Sequence, residues 1–271
     1  MSEVLIESGK RANRLTIENY LRVWSAEHTK ENIKSMWSLC DRLAAERKAH
    51  PKPESKDLLN TMLNATDPET GEKLSDENIR FNMVTFLVAG HETTSGTLSF
   101  LMYHLTRNPE KYHKAQEEVD RVVGDTPLNV KHLPQLKYLE ACIKETLRYQ
   151  GPINLFTLHP KKETVIGGKY RVYPTTSIQI NIKGLHHDPK AWGNDCNTYL
   201  PERFLDGGFE AVPRNAWKPF GNGRRSCIGN FFAEQEMLLV SALILQHFQV
   251  DMADPSYNMS KSKRRTFLCS C

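Results

Sequence analysis

The stretch FGNGRRSCIG, Phe220 to Gly229, sets one thiol among glycines and cations just ahead of an apolar helical segment. A cysteine in that position lies where unpaired N–H groups and the helix dipole favour negative charge on sulfur. Gly221, Gly223 and Gly229 allow tight turns and let the backbone come close to a flat ligand. Arg224 and Arg225 can grip anionic groups bidentately. The combination suits a thiolate that ligates a metal held in an anionic cofactor. Two other readings stand beside it. GNGRRS is glycine-rich and could cradle phosphate in a nucleotide-binding module, although no β-branched strand precedes it and the Lys-Ser/Thr of a P-loop is missing. The plainest reading is a turn that carries a buried cysteine.

A second candidate is AGHETTS, Ala89 to Ser95, inside a long apolar segment. Glycine and threonine weaken a helix there, and a threonine hydroxyl competes for its carbonyls. His91-Glu92 opens a zinc-protease pattern, but the fifth position is Ser95 and not His, so that motif fails. Glu92-Thr93 places an acid beside an alcohol, a pairing suited to proton relay; a satisfied polar cluster in a core is the alternative. Glu145 and Arg148 stand at i and i+3 and share a helix face. Most such pairs are solvated surface bridges. The loop YLPERF, Tyr199 to Phe204, supplies an arginine, Arg203, able to join them.

In chain order, AGHETTS, the Glu145–Arg148 pair, the PERF arginine and FGNGRRSCIG together resemble the cytochrome P450 family, and LHHDPKAWG (185–193) fits the segment between the pair and the thiol loop. The resemblance spans roughly Ser8 to Met252. SGKRANR, DLLNTMLN, DPETGE, SDENIRFNMVTFLVAGHETTSG and KPFGNGRRSCIG are most similar to the bacterial and fungal fatty-acid hydroxylases fused to their own flavin reductase. The resemblance implies that Cys227 is the thiolate ligand of haem b iron, which favours O–O cleavage. It implies that Arg225 pairs with a haem propionate, that Phe220 packs beside the thiolate, and that Gly221, Gly223 and Gly229 shape the loop. Glu92 and Thr93 would deliver protons, with Ala89 and Gly90 leaving space over the ring. Glu145, Arg148 and Arg203 would form a buried network behind the haem. Ile153, Asn154 and Leu155 would border the substrate pocket.

The activity implied is a monooxygenase that inserts one oxygen atom from O2 into a C–H bond of an apolar substrate, a fatty acid. Electrons would come from NADPH through an FAD/FMN reductase docking near Lys218, Arg224 and Arg225, where positive charge steers an acidic partner. The alternative within the fold is a catalytically inactive remnant. Residues 1–271 are expected to be the C-terminal portion of a haem domain, with the N-terminal part of the fold absent and an atypical tail at 260–271.

The elements that must position these residues are mostly helical. Residues 28–48 carry helical apolar spacing. Ser75 can cap a long helix running to about Thr106, with Asp76 and Glu77 in its first turn. Its middle, residues 83–90, is apolar on every side, which predicts a place at the centre of a domain. DPETGEKL (67–74) reads as a turn-rich loop or small hairpin. Helices are predicted at 109–123, 136–149 and 228–246. Short strands are predicted between 156 and 181, broken by Gly167-Gly168 and by Pro174-Thr175, and coil from 195 to 219. The expected class is mainly α with a small β region, as the C-terminal portion of the cytochrome P450 fold.

Composition sets the outer bounds. An apolar fraction of 39% supports a core, and a net charge of only +4 gives no case for nucleic acid. The six cysteines include no CxxC pair and no zinc or disulfide pattern. No apolar run approaches the roughly 20 residues that span a bilayer, and the sequence opens without a signal peptide. A reducing, cytoplasmic setting is the expectation.

Overall fold

A computed structural model describes residues 23–259 and the backbone of 267–270, with side chains from residue 30 to residue 259. SGKRANR (8–14) and the basic run at 261–265 lie outside the described residues. The chain divides into two compact units, residues 1–92 and 93–271.

In the first unit, helix α1 spans Val23–Ala49 and helix α2 spans Leu58–Asn64. Asp57 caps α2 by accepting the Asn60 N–H at 2.8 Å, and Arg47 holds Asp57 at 2.9 Å. The loop after α2 closes with a Thr66–Lys73 bridge, the small hairpin expected at DPETGEKL. Helix α3 runs Asp76–Thr106 across the division between the units. Ser75 caps it, its Oγ accepting the Asn78 N–H at 3.2 Å, as the sequence predicts. Trp37 meets Phe81 edge to face at 5.8 Å. The expectation of a central position for residues 83–90 does not hold among the described residues. Leu87 is 47% exposed, and Ala89 and Gly90 are exposed as well. A helix with apolar residues on every side has no polar face, so any uncovered flank shows apolar side chains.

The second unit is built on α3 from Thr93 onward, α4 (Pro109–Val122), α5 (Lys137–Gln150) and α9 (Asn230–His247). Leu101 and Leu105, Tyr112, Ala115 and Val119, Leu139, Ile143 and Leu147, and Met237, Ala242 and Leu245 form one core. The α4 contributions repeat at three- and four-residue intervals, so its charged face is outward and its apolar stripe inward. Between α5 and α9 lie β1 (Ile153–Leu158), β2 (Thr164–Ile166), β3 (Tyr170–Val172) and β4 (Ile178–Asn181). β2 and β3 form an antiparallel hairpin through Gly167 and Gly168, both at positive φ. β1 pairs antiparallel with β4 and parallel with β5 (Phe267–Ser270). The class is mainly α with a small β region.

Short elements escape the sequence reading. Helices α6 (Ile182–His186), α7 (Pro189–Trp192) and α8 (Gly208–Ala211) are four or five residues long, too short to show a period. Side-chain caps start two of them: Asn181 Oδ1 accepts the Gly184 N–H, and Asp188 Oδ1 accepts the Lys190 N–H. The predicted coil 195–219 thus contains α8 and a 3-10 turn at Pro201–Phe204.

Candidate functional site

The buried network is the best-defined part of the site. Arg148 donates Nε–H to Glu145 Oε2 at 2.7 Å and Nη2–H to Oε1 at 2.8 Å, a bidentate pair with neither side chain exposed. The remaining guanidinium hydrogens go to the carbonyls of His186 (2.6 Å), Cys196 (2.9 Å) and Thr198 (3.1 Å). Glu145 Oε1 also accepts the Leu200 N–H at 2.7 Å and Arg203 Nε–H at 3.3 Å. Trp192 lies against both cations, 5.1 Å from Arg148 Cζ and 6.0 Å from Arg203 Cζ. The structure therefore unites the three residues that sequence alone leaves as a surface pair and a loop arginine. Every lone pair and N–H so engaged offsets the cost of burying charge.

The thiol loop follows from the same coil. Trp217 packs edge to face on Phe220 at 6.3 Å and donates its Nε1–H to the Lys144 carbonyl at 3.4 Å. Gly221 and Gly223 take φ of +75° and +65°, which L side chains rarely adopt. A side chain at Gly221 would place its Cβ 3.8 Å from Ser226 Cα. The Cys227 N–H donates to the Phe220 carbonyl at 2.8 Å and the Ser226 N–H to the Gly223 carbonyl at 3.1 Å. This ties Cys227 back across the loop, so α9 begins at Asn230, two residues later than its apolar pattern suggests. Cys40, Cys142 and Cys196 are buried, whereas Cys227 is exposed. The reading of Cys227 as a buried filler is thereby corrected: its backbone is held and its sulfur presented.

The donor set fits a haem. An exposed thiol stands ahead of a helix, beside two glycines whose positive φ an L side chain would strain. Ile228, Phe231 and Phe232 offer apolar surface at 84%, 79% and 70% exposure. Arg224 and Arg225 are exposed and make no hydrogen bond or ion pair among the described residues. The fit to a phosphate cradle is poorer, because the Ser226 and Cys227 amides are spent within the loop.

On α3, Glu92 and Thr93 are half-buried; His91 Nδ1 lies 3.9 Å from Glu92 Oε1, and the Thr93 carbonyl accepts Thr97 Oγ1–H at 2.9 Å. A Cβ at Gly90 would meet nothing within 4 Å. Ile153, Asn154 and Leu155 are half-buried at the start of β1. A Cβ at Gly96 would sit 3.9 Å from Pro152 Cβ, so α3 passes close to the turn that leads into β1.

Three contributors have no signal of their own in the sequence. Glu118, buried on α4, accepts the Tyr138 and Leu139 N–H groups at 2.9 Å each and caps α5 from outside. Tyr199 donates its O–H to the Cys142 carbonyl at 3.0 Å and shares a 3.1 Å hydrogen bond with Thr146. His186, buried, joins the network to the segment before the thiol loop: the Lys218 N–H donates to its Nε2 at 2.9 Å. No helix among the described residues is long and apolar enough to cross a membrane.

Comparison with known proteins agrees with this geometry. The chain is 46% identical over 267 residues to a bifunctional cytochrome P450/NADPH–P450 reductase of Acremonium egyptiacum, covering 96% of the chain and 25% of that protein. It is 45% identical over 267 residues to a self-sufficient cytochrome P450 monooxygenase of Phanerodontia chrysosporium, covering 98% and 25%. A bifunctional cytochrome P450/NADPH–P450 reductase of Bacillus subtilis is 46% identical over 250 residues, covering 92% and 24%. The chain thus spans about a quarter of the length of the curated relatives it matches. The family model for cytochrome P450 matches residues 5–269, and with the buried Glu145–Arg148–Arg203 network and the presented thiol in place, the chain belongs to the cytochrome P450 family.

Proposed function

We propose that this chain contributes the thiolate ligand, proton relay and supporting network of a haem-thiolate monooxygenase. The reaction would insert one oxygen atom from O2 into a C–H bond of an apolar substrate, a fatty acid. The haem, when bound, supplies oxygen activation. Cys227 would hold its iron, Arg225 a propionate, and Phe220, Gly221, Gly223 and Gly229 would shape the loop around the sulfur. Ala89 and Gly90 would leave room on α3. Glu92 and Thr93 would hold and pass protons through the carboxyl and hydroxyl oxygens. Ile153, Asn154 and Leu155 would border the substrate. Electrons would arrive from NADPH through a flavoprotein reductase docking near Lys218, Arg224 and Arg225; the fused reductases of the relatives support that partner.

The observation that carries this reading is the exposed Cys227 sulfur on a backbone pinned to Phe220 and backed by Trp217. The test is a difference spectrum of the reduced, haem-loaded chain with carbon monoxide. A thiolate-type band is expected, and Cys227→Ala should remove it. An unchanged band in that variant would overturn the ligand assignment. A wild-type chain that takes up no haem would favour the inactive remnant.

A further inference from the structure

The buried network and the thiol loop meet at one side chain. His186 ends α6 and is 1% exposed. Its carbonyl takes Arg148 Nη1–H, so its backbone belongs to the network. Its ring Nε2 accepts the Lys218 N–H. A backbone N–H can only donate, so Nε2 must be the unprotonated nitrogen and the ring proton sits on Nδ1. The backbone of Leu147 and Arg148, at the end of α5, faces the ring. The ring is thus held in one tautomer between α5 and Lys218.

Lys218 stands two residues ahead of the loop. Pro219 has no N–H to offer, the Lys218 carbonyl accepts the Gly221 N–H at 3.2 Å, and the Phe220 carbonyl accepts the Cys227 N–H at 2.8 Å. The bond from Lys218 to His186 is the upstream anchor of that series. We propose that His186 is a positioning residue: through Lys218 it transmits the rigidity of the Glu145–Arg148–Arg203 network to the Phe220–Cys227 loop and fixes where the Cys227 sulfur stands. The functional meaning rests on Cys227 being the iron ligand; the mechanical claim does not.

Two readouts keep these apart. In the full chain, hydrogen exchange is followed in peptides covering 218–227, 139–147 and 237–245 for wild type, His186→Phe and His186→Gln. Phenylalanine keeps the ring volume and removes both nitrogens, whereas the glutamine amide can reach the Lys218 N–H. Exchange at 218–227 is expected to quicken roughly fivefold to tenfold in His186→Phe, with the α5 and α9 peptides unchanged, and glutamine should restore it. In the haem-loaded chain, His186→Phe should convert part of the thiolate-type carbon monoxide band to the shorter-wavelength form, and glutamine should recover it. Loop exchange at the wild-type rate in His186→Phe, acceleration of α5 and α9 alongside the loop, or no rescue by glutamine would each overturn the proposal. If His186→Phe does not fold, His186→Met replaces it; failure of both while glutamine folds would assign His186 to folding alone and sink the inference. Absence of any thiolate band in wild type would refute the ligand reading and leave the exchange arm standing.

Discussion

The imidazole of His104 lies almost flat on the ring of Tyr199, with centroids 4.8 Å apart and planes 17° apart. Its Nε2 is 3.0 Å from Gln150 Oε1, which joins the end of α3 to the end of α5. Burial pushes the His104 pKa down to about 4, against the Gln150 bond, which favours protonation. Burial, reinforced by the charges of Arg148 and His187, lowers His186 to about 4 as well.

These two rings set an acid limit on stability. Unfolded, each takes a proton near its ordinary value of 6.5; folded, each resists until about 4. Between those values the unfolded state binds more protons, so acid favours unfolding. Stability should be level above pH 6.5 and should fall as pH drops toward 4, by up to about 3 kcal/mol per ring. Urea titrations at neutral pH and near pH 5 check this. Equal midpoints at both would show that neither ring is held neutral.

Arg148 and Arg203 differ in what their loss leaves behind. Arg148→Leu strands the Glu145 carboxylate with no compensating bidentate partner and frees three carbonyls, and should cost about 3–5 kcal/mol. Arg203 is 11% exposed and touches Glu145 once at 3.3 Å, so Arg203→Leu should cost only about 1–2 kcal/mol. Denaturant unfolding of the two variants should give that order.

Glu118→Ala removes the cap on α5. Two backbone N–H groups of that helix lose their acceptor, which should lower stability by about 1–2 kcal/mol. Glu118→Gln, which keeps one oxygen acceptor, should fall between it and wild type in thermal denaturation.

Thr93→Ala should leave haem uptake intact and divert reducing equivalents to peroxide, because the hydroxyl would hold a proton and not the iron. Product formed per NADPH consumed, with a reductase supplied, measures this. A ratio equal to wild type would remove Thr93 from the relay.

The start of α3 was legible because Ser75 and its acidic first turn act locally. The hairpins were legible for the same reason, as Gly167-Gly168 and the DPETGEKL turn carry their conformational demands within a few residues. The network was not legible from spacing alone. Glu145 and Arg148 at i and i+3 look like any surface pair, and only the ordered resemblance across four stretches marked them as buried. Tyr199 and His186 gave no sign, since the partners that define them lie 57 and 32 residues away. The expected central place of residues 83–90 fails at Leu87, Ala89 and Gly90, because apolar residues on every side say that cover is wanted, not that it is present.

The network also has an order of assembly. Glu145 and Arg148 are three residues apart and can pair as soon as α5 forms. The carbonyls of His186, Cys196 and Thr198 lie 38, 48 and 50 residues from Arg148, and Leu200 and Arg203 lie 55 and 58 from Glu145. Those contacts require closure of a long loop. The pair is therefore expected to form first as a solvated bridge on an open helix and to become an interior one only when the coil from Cys196 to Arg203 lays itself over α5. Folding of this coil is then expected late, as the step that seals the charge in, so that interactions made there should govern how slowly the chain comes apart more than how quickly it comes together.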